Sequence, residues 1–269
     1  MQLLPSYIVK EPAYWQGCRS NAPAQPLMAG PNDPTNSPPF SWFAWSMPVS
    51  DQGQEPSCVG RAWAAWMRLM MVRAGVDWPS YMHIDGRAIW IKARNRFYDG
   101  DLNGGITLEE GFEACKRLGL FPVGSELVKL DYSWNSIARQ LHNTPIVTGN
   151  RIHYGWFRPD PDTGCIDHSI DPTFNSGGHA TCISGALIHN ESEYVSLEGS
   201  WGPQWPYCGH HLMTHWEYWE GLMGNPYTAS VPLDWIEKST WKDHLIKIAW
   251  RDNGEPIAEP APNTGEAFA

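Results

Sequence analysis

The sequence predicts an α+β fold of two packed lobes, with helices in the first half of the chain and an antiparallel sheet in the second. Two observations lead to this prediction. A broad apolar stripe of helical period begins at Cys58, and short β-branched or alternating segments broken by Gly and Asn follow from 145 onward. A functional site in the cleft between the lobes is the natural expectation.

The predicted helices lie in the first half. The run CVGRAWAAWMRLMMVRAG, residues 58–75, carries apolar residues around most of its circumference and suits a helix buried on most sides. Gly75 is a typical C-terminal stop. A second helix is predicted at Thr107–Leu118, where Thr107 can cap the first turn and Glu110 follows three residues later, as in a capping box.

Local composition predicts the strands and the flanking segments. Three segments of the second half are predicted strands: 145–152, 179–188 and 193–201. An irregular arm rich in Pro, Asn, Ser and Ala precedes the folded part, and an acidic, proline-rich tail follows it. The predicted division is an arm at 1–40, a domain at 41–251 (helical lobe about 41–140, β lobe about 141–251) and a tail at 252–269.

The composition excludes several classes of function. The net charge of -10 argues against a nucleic-acid partner, because phosphate binding needs a cationic face. No run of about 18 apolar residues is present, so no membrane span is expected, and the N-terminus does not read as a signal peptide. The cysteines follow no dense spacing, which favours a reducing compartment such as the cytoplasm, although their even number leaves disulfides open. They are Cys18, Cys58, Cys115, Cys165, Cys182 and Cys208.

Cys58 is the first candidate catalytic residue. It opens the predicted helix after a polar turn, DQGQEPS. The unpaired N–H groups and partial positive charge of a helix start stabilise a thiolate, and a nearby histidine would make the pair a nucleophile with its own general acid. The alternative interpretation, an inert and buried small hydrophobe, has about equal weight on position alone.

Two further residues fit the same chemistry. Gln52 lies six residues before Cys58, and its amide could donate to an oxyanion together with the backbone N–H of Cys58. His179 follows two glycines at a predicted strand start, which would hold its imidazole at a sheet edge. For a lone histidine in such a place, a structural role is the commoner outcome.

Four segments together resemble the papain-like cysteine peptidases. MPVSDQGQEPSCVG resembles their segment with the oxyanion glutamine and the nucleophile, and GGHATCISGA is similar to their strand that begins with the catalytic histidine. EGSWGPQW looks like their Asn-Ser-Trp-Gly-x-x-Trp turn, and DLNGGITLEEGFEACKRLG resembles their Asn-Gly-Gly loop and following helix. The four occur in the family's order between about 40 and 218. The resemblance implies a papain-like fold, with the nucleophile helix packed on a barrel-like β lobe.

The resemblance also implies roles for single residues. Cys58 would be the nucleophile, His179 the acid and base, and Gln52 a donor in the oxyanion hole. Trp201 would shield His179 from water, and Trp205 would pack beneath it. Peptide hydrolysis through a thioester acyl-enzyme follows from that set, and no cofactor or metal is implied.

The resemblance also implies a substrate-binding segment and the absence of a disulfide that the family has. Gly104 and Gly105 would offer their backbone to an extended peptide or protein substrate by strand-like pairing. Two cysteines that are bridged in the family match Glu55 and Leu102, so both partners are missing together. Joint loss agrees with a reducing compartment.

Gly199 is the main departure from the family pattern. It stands where the family has the Asn that orients the catalytic imidazole, and glycine has no side chain to accept a hydrogen bond. Glu198, Ser200 or a water are the candidate substitutes, although Glu198 should point to the opposite face of a regular strand. We expect reduced rather than zero activity if the Cys58–His179 dyad is intact.

Two other groups of residues have competing interpretations. A cluster near the end of the matched region has ligand-type side chains, but Gly209 favours a turn there and a metal site is not predicted. This cluster is Cys208, His210, His211 and His215. Two tryptophan pairs are interpreted as packing rather than as ligand-binding residues. They are Trp42 with Trp45 and Trp63 with Trp66.

Three functions remain open from the sequence. The leading hypothesis is a thiol peptidase. The second is a papain-fold structural or binding protein with weak or no activity, joined to an assembly such as a phage virion through residues 1–40 and 252–269; Gly199 motivates it. The third is a cell-wall peptide hydrolase, which shares the order of Cys and His but is disfavoured by the Ser-Trp-Gly turn and Gln52.

Overall fold

The computed structural model is described in its helices, its sheet and the loops near both. The residues described are 40–41, 49–73, 84–160, 164–167, 169, 175–189, 192–202, 212–216 and 221–231. The predicted tail, the arm up to residue 39 and Gly75 lie outside them. The helices of this part of the chain are α1 (Cys58–Arg73), α2 (Gly86–Phe97), α3 (Leu108–Arg117) and α4 (Trp134–Leu141). The α+β class is confirmed.

Helix α1 is the centre of the hydrophobic core. From Cys58 to Met71 its residues are buried except Arg61, as the apolar run predicts. Trp63 and Trp66 are fully buried and form an aromatic cluster with Phe112 and Phe121. Each indole N–H still has an acceptor, Leu108 O at 3.0 Å and Pro145 O at 2.8 Å, so burial leaves no donor unpaired. The packing role predicted for this tryptophan pair is confirmed, whereas Trp42 and Trp45 lie outside the described residues.

Helix α3 begins with the predicted capping box. The Thr107 hydroxyl accepts from Glu110 N at 3.1 Å, and the Glu110 carboxylate accepts from Thr107 N at 2.8 Å. Helices α2 and α4 were not predicted. Helix α2 starts at a glycine and buries Arg94, so its apolar stripe is interrupted, and α4 has only 8 residues. Side-chain caps from Asp85 and Ser133 nevertheless fix both starts.

One antiparallel sheet contains the strands of the described residues. They are β1 (Phe40–Ser41), β2 (Glu126–Lys129), β3 (Ile146–His153), β4 (Asn175–His189), β5 (Ser192–Glu198), β6 (Leu212–His215) and β7 (Met223–Ser230). Their order is β2-β7-β3-β4-β5-β6, with β1 also paired to β4. The three predicted strands correspond to β3, β4 and β5. β7 was missed because its run MGNPYTAS contains Gly, Asn and Pro, and the β3–β7 register shifts beside Pro226.

β4 is the strand that joins the two lobes. Its first half pairs with β3 and its second half with β5, so it lies inside the sheet. Helix α1 packs against this strand, and a tight helix contact holds α1 against α2. A Cβ on Gly60 would overlap the carbonyl oxygen of Gly86 and lie 3.0 Å from Trp90 N. Glycine at this crossing lets the two helix starts touch.

We predict that Gly60→Ala destabilises the protein although alanine is the better helix former. The added methyl group has no space between α1 and α2, and this overpacking should outweigh the roughly 1 kcal/mol by which alanine exceeds glycine in helix propensity. The net free energy of unfolding should fall by about 1–3 kcal/mol. Urea unfolding with unchanged slope measures it. Gly199→Ala is the steric control, because a Cβ there meets only His179 Nε2 at 3.9 Å among the described atoms. Equal stability of the two variants would contradict the tight crossing.

Candidate active site

The start of α1 and the first half of β4 meet at Cys58. The backbone N–H of Ala180 donates to Cys58 Sγ at 3.4 Å, so the sulfur lies against the residue that follows His179. Among the described contacts, no hydrogen bond between the Cys58 and His179 side chains accompanies this one. The structure thus brings the predicted nucleophile and base onto adjoining elements, and joins them through the backbone.

Burial changes the charge state that the sequence predicts for this pair. Cys58 is 0% exposed and His179 is 3% exposed. Burial raises the pKa of Cys58 to about 12, against the lowering effect of backbone hydrogen bonds from Ala180 and Val59. Burial also lowers the pKa of His179 to about 3. In this arrangement burial favours the neutral thiol and the neutral imidazole, because desolvation opposes the charged forms more strongly than the helix start supports the thiolate.

Trp201 lies on the ring of His179, as predicted. The two rings stack with centroids 4.6 Å apart and an interplanar angle of 26°. Trp201 is itself buried and packs against Phe157 and Trp156, whose centroids lie 5.5 Å and 6.2 Å away. The aromatic layer excludes water from one face of the imidazole. Trp205, the predicted partner of Trp201, lies outside the described residues.

His179 Nε2 faces Gly199. This nitrogen is buried and has no hydrogen-bond partner among the described atoms. A Cβ on Gly199 would lie 3.9 Å from it, an ordinary contact, so the position matches that of an orienting side chain. The first two predicted substitutes bond elsewhere: Glu198 pairs with Arg68 at 3.5 Å, and the Ser200 hydroxyl donates to Gln52 Oε1. Neither side chain orients His179.

Glu198 instead forms a buried ion pair behind the site. Its side chain is 2% exposed, and Arg68 of α1 is 7% exposed. Burial raises the pKa of Glu198 to about 7, with the guanidinium of Arg68 acting in the lowering direction. Arg68 also donates to Ile84 O at 3.1 Å. The pair ties β5 to α1 in the interior of the protein.

Gln52 is held by hydrogen bonds at both ends of its amide. Its Oε1 accepts from the Ser200 hydroxyl, and its Nε2 donates to Glu55 O at 2.8 Å. Its backbone N–H donates to Ser200 O at 2.9 Å, and Gly202 N donates to Ser50 O at 3.1 Å. A primary amide has two N–H donors, and one acceptor for them is found among the described atoms.

Gly104 and Gly105 are buried, and their carbonyls already have donors. Trp90 Nε1 donates to Gly104 O at 3.0 Å, and Arg94 Nη1 donates to Gly105 O at 3.2 Å. The predicted pairing with a peptide would need the second lone pair of a carbonyl, or the N–H groups. Substrate binding at these glycines remains a prediction.

Asn150 is a buried polar residue near the site that the sequence analysis missed. It lies opposite His179 in the β3–β4 register, so both side chains are on one face of the sheet. Its Nδ2 donates to Thr181 Oγ1 at 2.9 Å and weakly to His179 O at 3.4 Å. An asparagine inside a run that begins with three β-branched residues was the available signal. It anchors the backbone of the histidine.

The described residues contain neither a metal-binding group nor a helix fit for a membrane. No cluster of three or more His, Cys, Asp or Glu side chains within them could hold a metal ion. Of the rival cluster, His215 is described at the end of β6, and Cys208, His210 and His211 lie outside. None of the described helices is long and apolar enough to cross a bilayer.

Solved structures of cysteine proteases share this architecture. Xylellain, a cysteine protease from Xylella fastidiosa, has a TM-score of 0.56 at 16% identity, over 69% of this chain and 83% of its own. Digestive procathepsin L 3 of Tenebrio molitor has 0.55 at 14% identity, over 82% and 78%. The bromelain protease of Ananas comosus, solved with the inhibitor E64, has 0.54 at 12% identity, over 72% and 99%. No family model matches the chain, and no curated protein matches its sequence.

The fold is papain-like. The fold class predicted from the four sequence segments is confirmed by these structures. The structural similarity establishes the architecture, and at sequence identities of 12% to 16% it does not establish membership of the peptidase family. Within the papain-like fold, the residues around Cys58 have to support any function by their own chemistry.

We predict that His179 makes stability depend on pH. Because burial lowers its folded-state pKa from 6.5 to about 3, the unfolded chain binds more protons below pH 6.5. Its contribution is complete above that pH and is lost as the pH falls. From pH 7 to pH 5 the wild type should lose about 2 kcal/mol more unfolding free energy than His179→Gln. The difference between variants cancels Glu198, whose raised pKa acts in the opposite direction. Equal losses would mean that His179 protonates in the folded protein.

Proposed function

We propose that this chain is a thiol peptidase that cleaves peptide bonds through Cys58 and His179. Cys58 Sγ attacks the scissile carbonyl and forms a thioester, and His179 protonates the leaving amine and then activates water. Gln52 and the backbone N–H of Cys58 stabilise the oxyanion. The papain-like fold supports this function, since proteases share it.

The contact between Cys58 and Ala180 of β4 carries the proposal. The sulfur lies at a helix start against the residue after His179, Trp201 stacks on the His179 ring, and the Gln52 amide bonds to Ser200, the neighbour of Trp201. A structural histidine alone would not require Gln52 to be held at both ends. The combination supports acyl transfer better than any single residue does.

Catalysis requires the buried pair to become ionised. In the closed arrangement, burial favours the neutral thiol and the neutral imidazole. Admission of substrate or water beside Cys58 would reduce the desolvation that opposes charge and let the proton pass from sulfur to ring. The proposed enzyme therefore reacts from a more open state than the one described.

Thiol-directed labelling tests the proposal. An epoxide or vinyl-sulfone peptide at neutral pH should modify wild-type protein at Cys58, and a fluorogenic peptide library should be hydrolysed. Cys58→Ala should lose both activities, because no other described residue supplies a sulfur at this site. Cys165→Ala is the control, since Cys165 is half-buried outside the site. Modification of Cys165 with Cys58 untouched in folded protein would refute the enzyme hypothesis.

Gly199→Asn should increase turnover. Its amide oxygen could accept from His179 Nε2, which has no partner among the described atoms, and hold the ring with Nδ1 as base. Loss of the third triad member costs about 10⁴ in a serine enzyme; we expect a gain of roughly 10–100-fold in kcat, because a thiol depends on it less. Gly199→Ala adds the same Cβ without an acceptor and should show no gain. Equal kcat for both variants would show that ring orientation is not limiting.

Burial of the pair favours one alternative function. A papain-fold binding module without turnover has no need of an exposed sulfur, and Cys58 is 0% exposed. Under this alternative, residues 1–40 and 252–269 would attach the module to an assembly, including a virion. Labelling separates the two, because a binding module would leave Cys58 unmodified. The free, buried thiols of Cys115 and Cys182 agree with a reducing compartment under either function.

A further inference from the structure

An ion pair lies between the turn before Cys58 and the start of α2. Arg87 Nε is 2.6 Å from Glu55 Oε1, and the side chains are 35% and 32% exposed. We propose that Glu55 and Arg87 are positioning residues for Gln52, holding the oxyanion-hole turn in place. This inference rests on the peptidase function for its catalytic meaning, and on the contacts below for the positioning itself.

Glu55 links the ion pair directly to the Gln52 amide. Gln52 Nε2 donates to Glu55 O at 2.8 Å, and Glu55 N donates to Gln52 O at 3.1 Å. The turn is therefore closed in both directions between these residues. Movement of Glu55 moves the acceptor that fixes one N–H of the amide, and with it the direction of the other N–H.

Arg87 is a fixed point from which to hold this turn. Its backbone N–H donates to Asp85 Oδ1 at 2.8 Å in the N-cap of α2. The contact of Gly60 with Gly86 fixes the start of α2 against α1. Since Cys58 opens α1, the ion pair sets Gln52 relative to the element that carries the sulfur.

The charges near the pair are mixed in sign. Arg61 of α1 is a second cation that interacts with Glu55. Burial lowers the pKa of Arg61, whereas Asp85, Glu55 and Asp51 act to raise it and Arg68 acts to lower it. Arg61 Nε also donates to Ser57 Oγ at 3.2 Å. A surface pair of this exposure adds little to global stability, so a local effect on Gln52 is separable from unfolding.

The pair stands where the resembled family has a covalent link. The resemblance to the family places Glu55 and Leu102 at the positions of two bridged cysteines, and Leu102 is 42% exposed in this structure. In this chain the ion pair between Glu55 and Arg87 joins the turn before Cys58 to α2, so the partner of Glu55 is Arg87 and not Leu102. The order of the oxyanion-hole turn should therefore respond to ionic strength and not to reductant.

Hydrogen exchange of the Gln52 side-chain amide tests the positioning directly. The NMR signal of this amide is identified by its loss in Gln52→Glu. In Arg87→Met and in Glu55→Gln we expect about tenfold faster exchange, with unchanged unfolding midpoints, and salt at 1 M should act in the same direction on wild type. Lys116→Met is the matched control, because Lys116 and Glu113 form a pair of similar exposure on α3, 3.5 Å apart.

Kinetics provide the second readout. Arg87→Met should lower kcat for peptides about tenfold, a part of the roughly 10²–10³ lost with a whole oxyanion donor. Alkylation of Cys58, which forms no oxyanion, should change less than twofold. Exchange rates and kcat in Arg87→Met and Glu55→Gln equal to those of Lys116→Met would overturn the inference. Wild type without turnover, but with faster Gln52 exchange in both variants, would refute the peptidase and leave the positioning intact.

Discussion

The site depends on the packing of α1 against β4. This contact joins a local element of the first half of the chain to a strand more than 100 residues later, and the Ala180 N–H to Cys58 Sγ bond lies at its end. Trp66 of α1, which donates to Pro145 O, and the buried Arg68–Glu198 pair join the same two lobes further along. Because Cys58 and His179 belong to different lobes, their geometry is only as well defined as this interface.

The same packing that positions the two groups also neutralises them. A close-packed interface removes water from Cys58 and His179, and desolvation then exceeds the stabilisation available from the helix start. Precise placement and easy ionisation are thus in conflict in the closed protein. His179 Nε2, which has no hydrogen-bond partner among the described atoms, lies in the same packed region and faces Gly199.

The sequence predicted those parts of the structure that local chemistry decides. The capping box at Thr107 and Glu110 uses residues three apart in the sequence. The apolar residues of α1 are numerous enough to predict the helix without knowledge of its tertiary contacts. Where tertiary contacts matter, the prediction failed: α2 begins with Gly86, which packs tightly against Gly60, and β7 tolerates Pro226 beside a register shift in its pairing with β3.

The site shows the same division. The segments that meet could be named from motif order, whereas the burial of Cys58 could not, because exposure is a property of the assembled lobes. Nor could the bonding of Glu198 and Ser200, which depends on Arg68 and Gln52 across the interface. Asn150 was hidden for a similar reason, since only the β3–β4 register sets it opposite His179.

The backbone pairing of 50–52 with 200–202 has a mechanical consequence. Asp51 forms a β-bridge with Trp201, and the backbone of Gln52 bonds to Ser200. The indole that stacks on His179 and the segment that carries Gln52 therefore belong to one short backbone ladder. Lifting the indole to admit a ligand would pull on the amide at the same time. Ligand access to His179 and the orientation of the Gln52 amide would then change together.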